Sequence, residues 1–216
     1  MTRAARLATT AAVAAALFAG ALPAAATAQP GVASAGWAGF VKAGTSTAIP
    51  DVGQCSISGP TSVTSGLVTG SGVRFGGATS TCTTTVVDPD FDLTTTTSTA
   101  TGTSFELSAL VSLGGPRVKL TSYTTTCQAD QGGTRASWSF SGLSGISGLP
   151  SPVPANYAKN LTAGTTVLAT ATFNEVLLPT PNDGSIELNM LHVRFLPASG
   201  ITGEVVVGAT SCRPTP

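Results

Sequence analysis

Charge is what this sequence has least of. Asp, Glu, Lys and Arg together supply 9% of its 216 residues, against roughly a quarter in ordinary soluble domains. Ten acidic residues balance ten basic ones, and the basic ones are scattered singly. Without a basic stripe, the electrostatic footprint of a nucleic-acid binder is missing. A polybasic patch for an anionic membrane surface is missing too. Histidine occurs once, as His192, and both a Ser-His-Asp triad and most metal sites would need it. No C-x-x-C pair is present, so zinc-ribbon and thioredoxin-type chemistry are poor readings. No G-x-S-x-G turn is present to present a nucleophilic serine. Aromatic residues are 6%, which leaves few platforms for stacking a sugar. Beyond residue 28 no stretch keeps a helical period, and that argues against helical layers.

What fills the space is apolar residues at 42%, with a mean hydropathy of +0.31. A sizeable core is therefore feasible and global disorder is excluded. Threonine, serine and glycine stand where charge would be. That composition fits strands with hydroxyl-bearing outer faces joined by tight turns. The length fits one domain.

The N-terminus carries Arg3 and Arg6, then an Ala-rich apolar run from Leu7 to Leu22, then Ala26-Thr27-Ala28. These are the three parts of a Sec-type signal peptide. The expected division is therefore a cleaved leader, 1–28, and a single exported domain, 29–216. The apolar run is short for a retained anchor. Without Arg3 and Arg6 the domain keeps eight basic residues against ten acidic.

Cys55, Cys82, Cys127 and Cys212 all fall in the exported part. Four cysteines in an exported chain read as two disulfides with three possible pairings. Proximity favours Cys55–Cys82 and Cys127–Cys212, and spacing alone leaves the other pairings open.

The organising stretch is Val167 to Cys212, where two β-rich arms flank Asn182-Asp183-Gly184 and a third follows Gly200. Ahead of it, Thr79–Val87 reads as a strand rich in β-branched residues. Leu93–Thr101 is a threonine run, an edge strand or exposed loop. Thr103–Ser112 and Arg117–Cys127 read as a hairpin across Gly114-Gly115-Pro116. Thr134–Leu143 alternates, with Ala136, Trp138 and Phe140 expected inside. Gly142–Ala155 is a long connection, and Tyr157–Ala163 has room for one helical turn. The sum is an all-β, antiparallel sandwich of jelly-roll type with about nine or ten strands.

Thr172-Phe173-Asn174-Glu175, the Asp183-Gly184 hairpin, Leu188-Asn189-Met190-Leu191-His192-Val193 and the ending Gly203 to Cys212 together resemble the choice-of-anchor P family of exported bacterial, notably actinobacterial, proteins. Residues 117–143 are similar as well. The resemblance implies an exported β-rich domain, often tethered at its C-terminus, with no established catalytic activity. The sequence departs from it in closing on Cys212-Arg213-Pro214-Thr215-Pro216 without a visible anchor, which favours free secretion over attachment.

Candidate chemistry is thin. Asp88, Asp90 and Asp92 have alternate spacing that suits calcium. Leu93 and Thr99 stand where an EF-hand needs Gly and Glu, so a looser calcium site is the alternative to a solvated acidic turn. Leu196-Pro197-Ala198-Ser199-Gly200 resembles a sortase signal, yet no apolar span follows, so a turn between strands is the expectation. His192 lies among apolar residues and reads as a strand histidine bonded to its neighbours. Glu175 and Glu187, on facing arms of one hairpin, form the pair that a glycosidase would need if they shared a cleft. Asn160-Leu161-Thr162 matches a glycosylation sequon and reads as a polar surface loop.

The expectation is a non-enzymatic, secreted or envelope-associated structural or interaction protein with no catalytic residues and no cofactor. Its partners would be envelope components or further copies of itself. A carbohydrate- or calcium-dependent binding domain using Trp37 or Tyr157 is the alternative, and an unfamiliar hydrolase using Glu175 or His192 is the third reading.

Overall fold

A computed structural model describes residues 31–214 of the chain; the leader expected at 1–28 lies outside the described residues. The described residues are all-β, with sixteen strands, two 3₁₀ turns and no α-helix. None of their elements is a helix long and apolar enough to cross a membrane.

The first part of the chain forms β1 (Val32–Lys42), β2 (Thr45–Ile49), β3 (Cys55–Ser56), β4 (Ser62–Ser65), β5 (Val68–Gly70) and β6 (Val73–Phe75). The middle forms β7 (Ala78–Asp88), β8 (Leu93–Gly102), β9 (Phe105–Leu107), β10 (Val118–Leu120), β11 (Ser122–Asp130) and β12 (Gly133–Ser141). The last part forms β13 (Tyr157–Ala163), β14 (Thr166–Leu177), β15 (Ile186–Phe195) and β16 (Ile201–Cys212).

One layer is a seven-stranded antiparallel sheet ordered β13-β14-β15-β16-β1-β2, with β3 also on β1. The other layer is a five-stranded sheet, β12-β11-β8-β7-β4, and a four-stranded sheet, β10-β9-β6-β5. These two continue one another. The strand pairs β4/β5, β6/β7, β8/β9 and β10/β11 are each separated by only one to two residues. The break falls at Gly66-Leu67, Gly76-Gly77, Thr103-Ser104 and Thr121. The second layer is in effect one long sheet bent along this line. Sequence reading counted fewer strands because the bend cuts each long run in two.

The seven-stranded layer bends at the same level. Pairing skips Asn174 opposite Met190, Met190 opposite Gly208, and Gly208 opposite Ala35. Asn174 has φ 52°, Gly208 φ 65° and Gly36 φ 139°. Asn tolerates the left-handed region better than most side chains. Gly36 and Gly208 admit no side chain: a Cβ at the first would collide with the Val206 carbonyl and the Phe75 ring, and at the second with Thr125. Because strand side chains alternate strictly, one skipped position inverts which residues face inward. In β15, Leu188 and Met190 point in on one side of the crease, and Leu191, Val193 and Phe195 on the other. Tyr123 sits at the level of the bend. Its hydroxyl donates to the Ala35 carbonyl at 2.8 Å, and its ring covers Gly102.

The bend divides the core. On one side lie Phe40, Phe75, Phe105, Leu107, Leu120 and Phe195, with Phe75–Phe105 and Phe40–Phe195 ring centroids 5.3 and 5.2 Å apart. On the other, buried Ala33, Ala100 and Ala129 surround all four cysteines, with Ile186 the one large buried residue of these two clusters. Cys55–Cys82 joins β3 to β7 and Cys127–Cys212 joins β11 to β16. Each disulfide therefore rivets the seven-stranded sheet to the five-stranded one, and the pairing is the one that proximity favoured.

Four expectations are corrected. Leu93–Thr101, expected at an edge or in an exposed loop, lies in β8, paired on both sides by β7 and β11. Tyr157–Ala163 is strand β13 and holds no helical turn. The expected hairpin of residues 103–127 is split by the bend, so that β9 pairs β10 while β11 pairs β8. Trp138 and Phe140 are half-buried, since β12 is an edge strand and its inward face overhangs the core.

Candidate functional site

The crease assembles a dense group of titratable side chains. On the outer face of the seven-stranded sheet, His192 and Arg194 of β15 lie on one side of it, and Asn189 and Glu187 on the other. Glu175 pairs across from Asn189, and Glu204 across from Arg194. Without the skipped residue, Asn189 and His192 would face opposite sides of the sheet.

His192 lies between two carboxylates. Its Nδ1 is 2.6 Å from Glu175 Oε2 and its Nε2 is 2.8 Å from Glu204 Oε2. An imidazolium donates to both; a neutral ring donates to one and turns a lone pair toward the other. Asn189 Nδ2 donates to the same Glu175 oxygen at 3.0 Å, and Arg194 Nη2 reaches Glu175 Oε1 at 2.8 Å. Arg194 also stands 3.7 Å from Glu204. Glu175 and His192 are each 5% exposed. An unpaired charge at that depth is expensive, whereas here the Arg194 guanidinium and the His192 ring both meet the Glu175 carboxylate.

Burial alone pushes the Glu175 carboxyl up, but donors from His192, Asn189 and Arg194 outweigh it and hold the group down at about 2. Both Glu175 oxygens are occupied, so neither is free to take a proton from a substrate or attack one. Glu187 is pushed the other way. Burial raises its carboxyl, the charges of Glu175 and Asp51 add to that, and Asn189 opposes. Glu175 and Glu187 do share a face, because Leu177, two residues on from Glu175, pairs with Glu187. Glu175 is buried and Glu187 half-buried on that face.

The other candidates are dispersed. Asp88 closes its own turn by accepting from the Asp90 amide at 3.0 Å, and the Asp88–Asp92 turn is the tip of the β7–β8 hairpin. No group of three or more His, Cys, Asp or Glu able to hold a metal occurs among the described residues. Residues 197–199 of the sortase-like stretch form a 3₁₀ turn closed by left-handed Gly200. Asn160 is exposed on edge strand β13. Trp37 is half-buried and pairs with Val206, itself the neighbour of His192. Tyr157 is half-buried and packs against the core. Trp138, Phe140, Leu149, Pro150, Pro152 and Val153 line an open groove beside β12, which sequence reading did not anticipate.

Sequence reading named Glu175, Glu187 and His192 but missed Asn189, Arg194 and Glu204. One signal was available. Glu187 and Asn189 are two apart, His192 and Arg194 are two apart, but Asn189 and His192 are three apart. That phase slip in a period-two pattern marks a break in the alternation of the strand.

The fold and its sulfur chemistry define a class, a two-layer β-sandwich riveted by two inter-sheet disulfides. No protein family, curated protein or solved structure matches the chain.

Proposed function

We propose that the protein is a non-enzymatic, exported structural or interaction module that works at or outside the cell envelope. The observation that carries this is the placement of the two disulfides. All four cysteines are at most 1% exposed and join the two sheets amid two small buried clusters apart from the main core. Such a fold is completed by an oxidising compartment, and the leader-like N-terminus provides the route to one. The likeness to choice-of-anchor P proteins points the same way. The closed state of the His192 network favours a structural role for it over catalysis, since its acceptors are already consumed.

The test is the intact mass of the protein from culture supernatant and from washed envelope, without and with reductant. The expected species begins at Gln29 and gains the mass of about four hydrogens on reduction. Free thiols, or an intact leader on the mature pool, would overturn the reading. The split between supernatant and envelope separates a released module from a retained one.

A further inference from the structure

Basic residues are scattered singly in the sequence, yet the fold gathers Arg74, Arg117 and Lys119 around one carboxylate. On the four-stranded sheet, Arg74 of β6, Glu106 of β9 and Lys119 of β10 stand opposite one another in a single cross-strand row. Their chain neighbours Val73, Phe75, Phe105, Leu107, Val118 and Leu120 are buried. Strand alternation therefore turns the row to the outer face. Glu106 is already spent: Arg117 bonds one of its oxygens, and Lys119 Nζ stands 3.4 Å from the other. The Arg117 guanidinium also holds the Glu106 carboxyl below its ordinary value, so the group is charged at neutral pH. Three cations against one carboxylate leave the row with an excess of two positive charges.

Arg74 is the exception among the described arginines. Arg117, Arg135, Arg194 and Arg213 each meet a carboxylate, on Glu106, Asp130, Glu175 and Asp183. Arg74 is exposed and has neither an ion pair nor a hydrogen bond among the described residues. It borders an open cleft of about 340 Å³, with Lys119, Ser104, Thr121 and Ser144 also in its lining. Small-ligand sites begin at roughly 300 Å³. The cleft lies on the line where the second layer bends, since Ser104 and Thr121 are residues of the break. Ser144 is fixed beside Lys119 by two backbone hydrogen bonds, of 3.1 and 3.0 Å. The hydroxyls of Ser104 and Ser144 have no hydrogen-bond partner among the described residues.

We propose that this cleft binds a phosphate group. The unspent donors select the ligand. Arg74, Ser104, Lys119 and Ser144 come from four separate segments, and all border one space. A carboxylate has two oxygens in one plane, and Glu106 already fills that role. A phosphate has three or four oxygens set tetrahedrally. It takes the guanidinium fork on two of them and leaves the rest for the ammonium and the hydroxyls. The site rests on the reading of the protein as an interaction module and names the ligand chemistry of that module.

Exposed charges are solvated and screened, so affinity for a single phosphate is on the order of 1 mM at low salt. The test titrates inorganic phosphate into the oxidised protein at constant ionic strength, against chloride, and follows the backbone amides by NMR. Amides around Arg74, Glu106 and Lys119 should shift and saturate. Arg74→Gln should raise the dissociation constant at least about fivefold. Arg135→Gln makes the same change of charge at a paired arginine of β12 and should move it less than about twofold. Glu106→Gln frees donors of Arg117 and Lys119 and should tighten binding at least about threefold. Because Arg74 has no partner to lose, its variant should keep the parent melting temperature within about 3 °C. Dimethyl phosphate as a second probe separates the sources. Comparable affinity marks a diester within a polymer, and weaker affinity marks a free or terminal phosphate. No saturable shift up to about 20 mM phosphate, or equal weakening by the Arg74 and Arg135 variants, would overturn the site. An oxidised, leaderless protein that ignores phosphate ends this site alone. Phosphate binding by a protein whose native form has free thiols ends the exported-module reading instead.

Discussion

The two ends of this sandwich, on either side of the bend, are held by different physics. At one end Phe40, Phe75, Phe105 and Phe195 fill a deep core with tilted aromatic pairs. At the other, Ala, Ser, Thr and Cys supply most of the facing positions, beside Ile186 and Leu188. Four of the hydroxyls buried between the layers, on Ser80, Ser98, Thr125 and Thr210, have no hydrogen-bond partner among the described residues. Large apolar side chains stabilise by burying area, at roughly 25 cal/mol per Å². Small polar ones bury little area and lose hydrogen bonds to water. The thin end therefore depends on covalent links that act on the unfolded chain, and both disulfides are there. A molecule can lack core volume locally if cross-links carry that region.

If that contrast is right, the largest effect comes from cutting a rivet. Cys212→Ser opens the loop of 85 residues closed with Cys127, at a cost of about 4–5 kcal/mol. The melting temperature should fall by about 10 °C or more. Cys82→Ser, with a separation of 27 residues, should cost about 3–4 kcal/mol. A melt unchanged by both would mean that the thin end is stable without sulfur. At the aromatic end, Phe105→Ala should cost about 3–4 kcal/mol through lost burial and a cavity. Denaturant unfolding of that variant should respond to reductant as the parent does, because the two ends contribute separately.

The crease between the ends supplies the next effect. Glu175→Gln leaves His192 and Arg194 short of a partner and should cost about 3 kcal/mol at neutral pH. The folded Glu175 carboxyl, at about 2, lies below its unfolded value of about 4.3. Its stabilisation is complete above the unfolded value and is lost as pH falls toward 2. The variant should therefore show a flatter acid limb in melts between about pH 5 and 2. Glu187 has the opposite sign. Its carboxyl is raised by burial, so its favourable contribution belongs to low pH and disappears as pH rises through the folded value. Glu187→Gln should be neutral or stabilising at pH 7, and equal losses in both variants would refute the assignment. The smallest effect is expected at the thin end itself. Thr125→Val removes an unpartnered hydroxyl, and a gain of up to about 1 kcal/mol in chemical denaturation is the expected result.

Much of the fold was legible in composition and turn chemistry. Thr81-Cys82-Thr83-Thr84-Thr85 is a strand in any context, and Asn182-Asp183-Gly184 joins β14 to β15 as expected. Proximity favoured the observed cysteine pairing but left two others open, and the fold decided it. The candidate site was half legible: His192 and Glu175 stood out as rare or facing residues, but Arg194 and Glu204 are ordinary strand charges until β15 and β16 are laid side by side.

By itself the sequence determined the class of the protein. A chain of Thr, Ser, Val and Gly with little charge and no helical period has only the β-sandwich and barrel as ways to satisfy its backbone while burying its apolar residues. Four cysteines closed into two disulfides between the sheets fit an extracellular protein. Tertiary structure alone decided where the layers bend. The bend depends on Gly36 meeting Phe75 and Gly208 meeting Thr125 across the interior, contacts between residues that no local pattern relates. Once the bend is in place, the inverted alternation brings Glu175, Asn189 and His192 together, and it separates the aromatic core from the end that the disulfides hold.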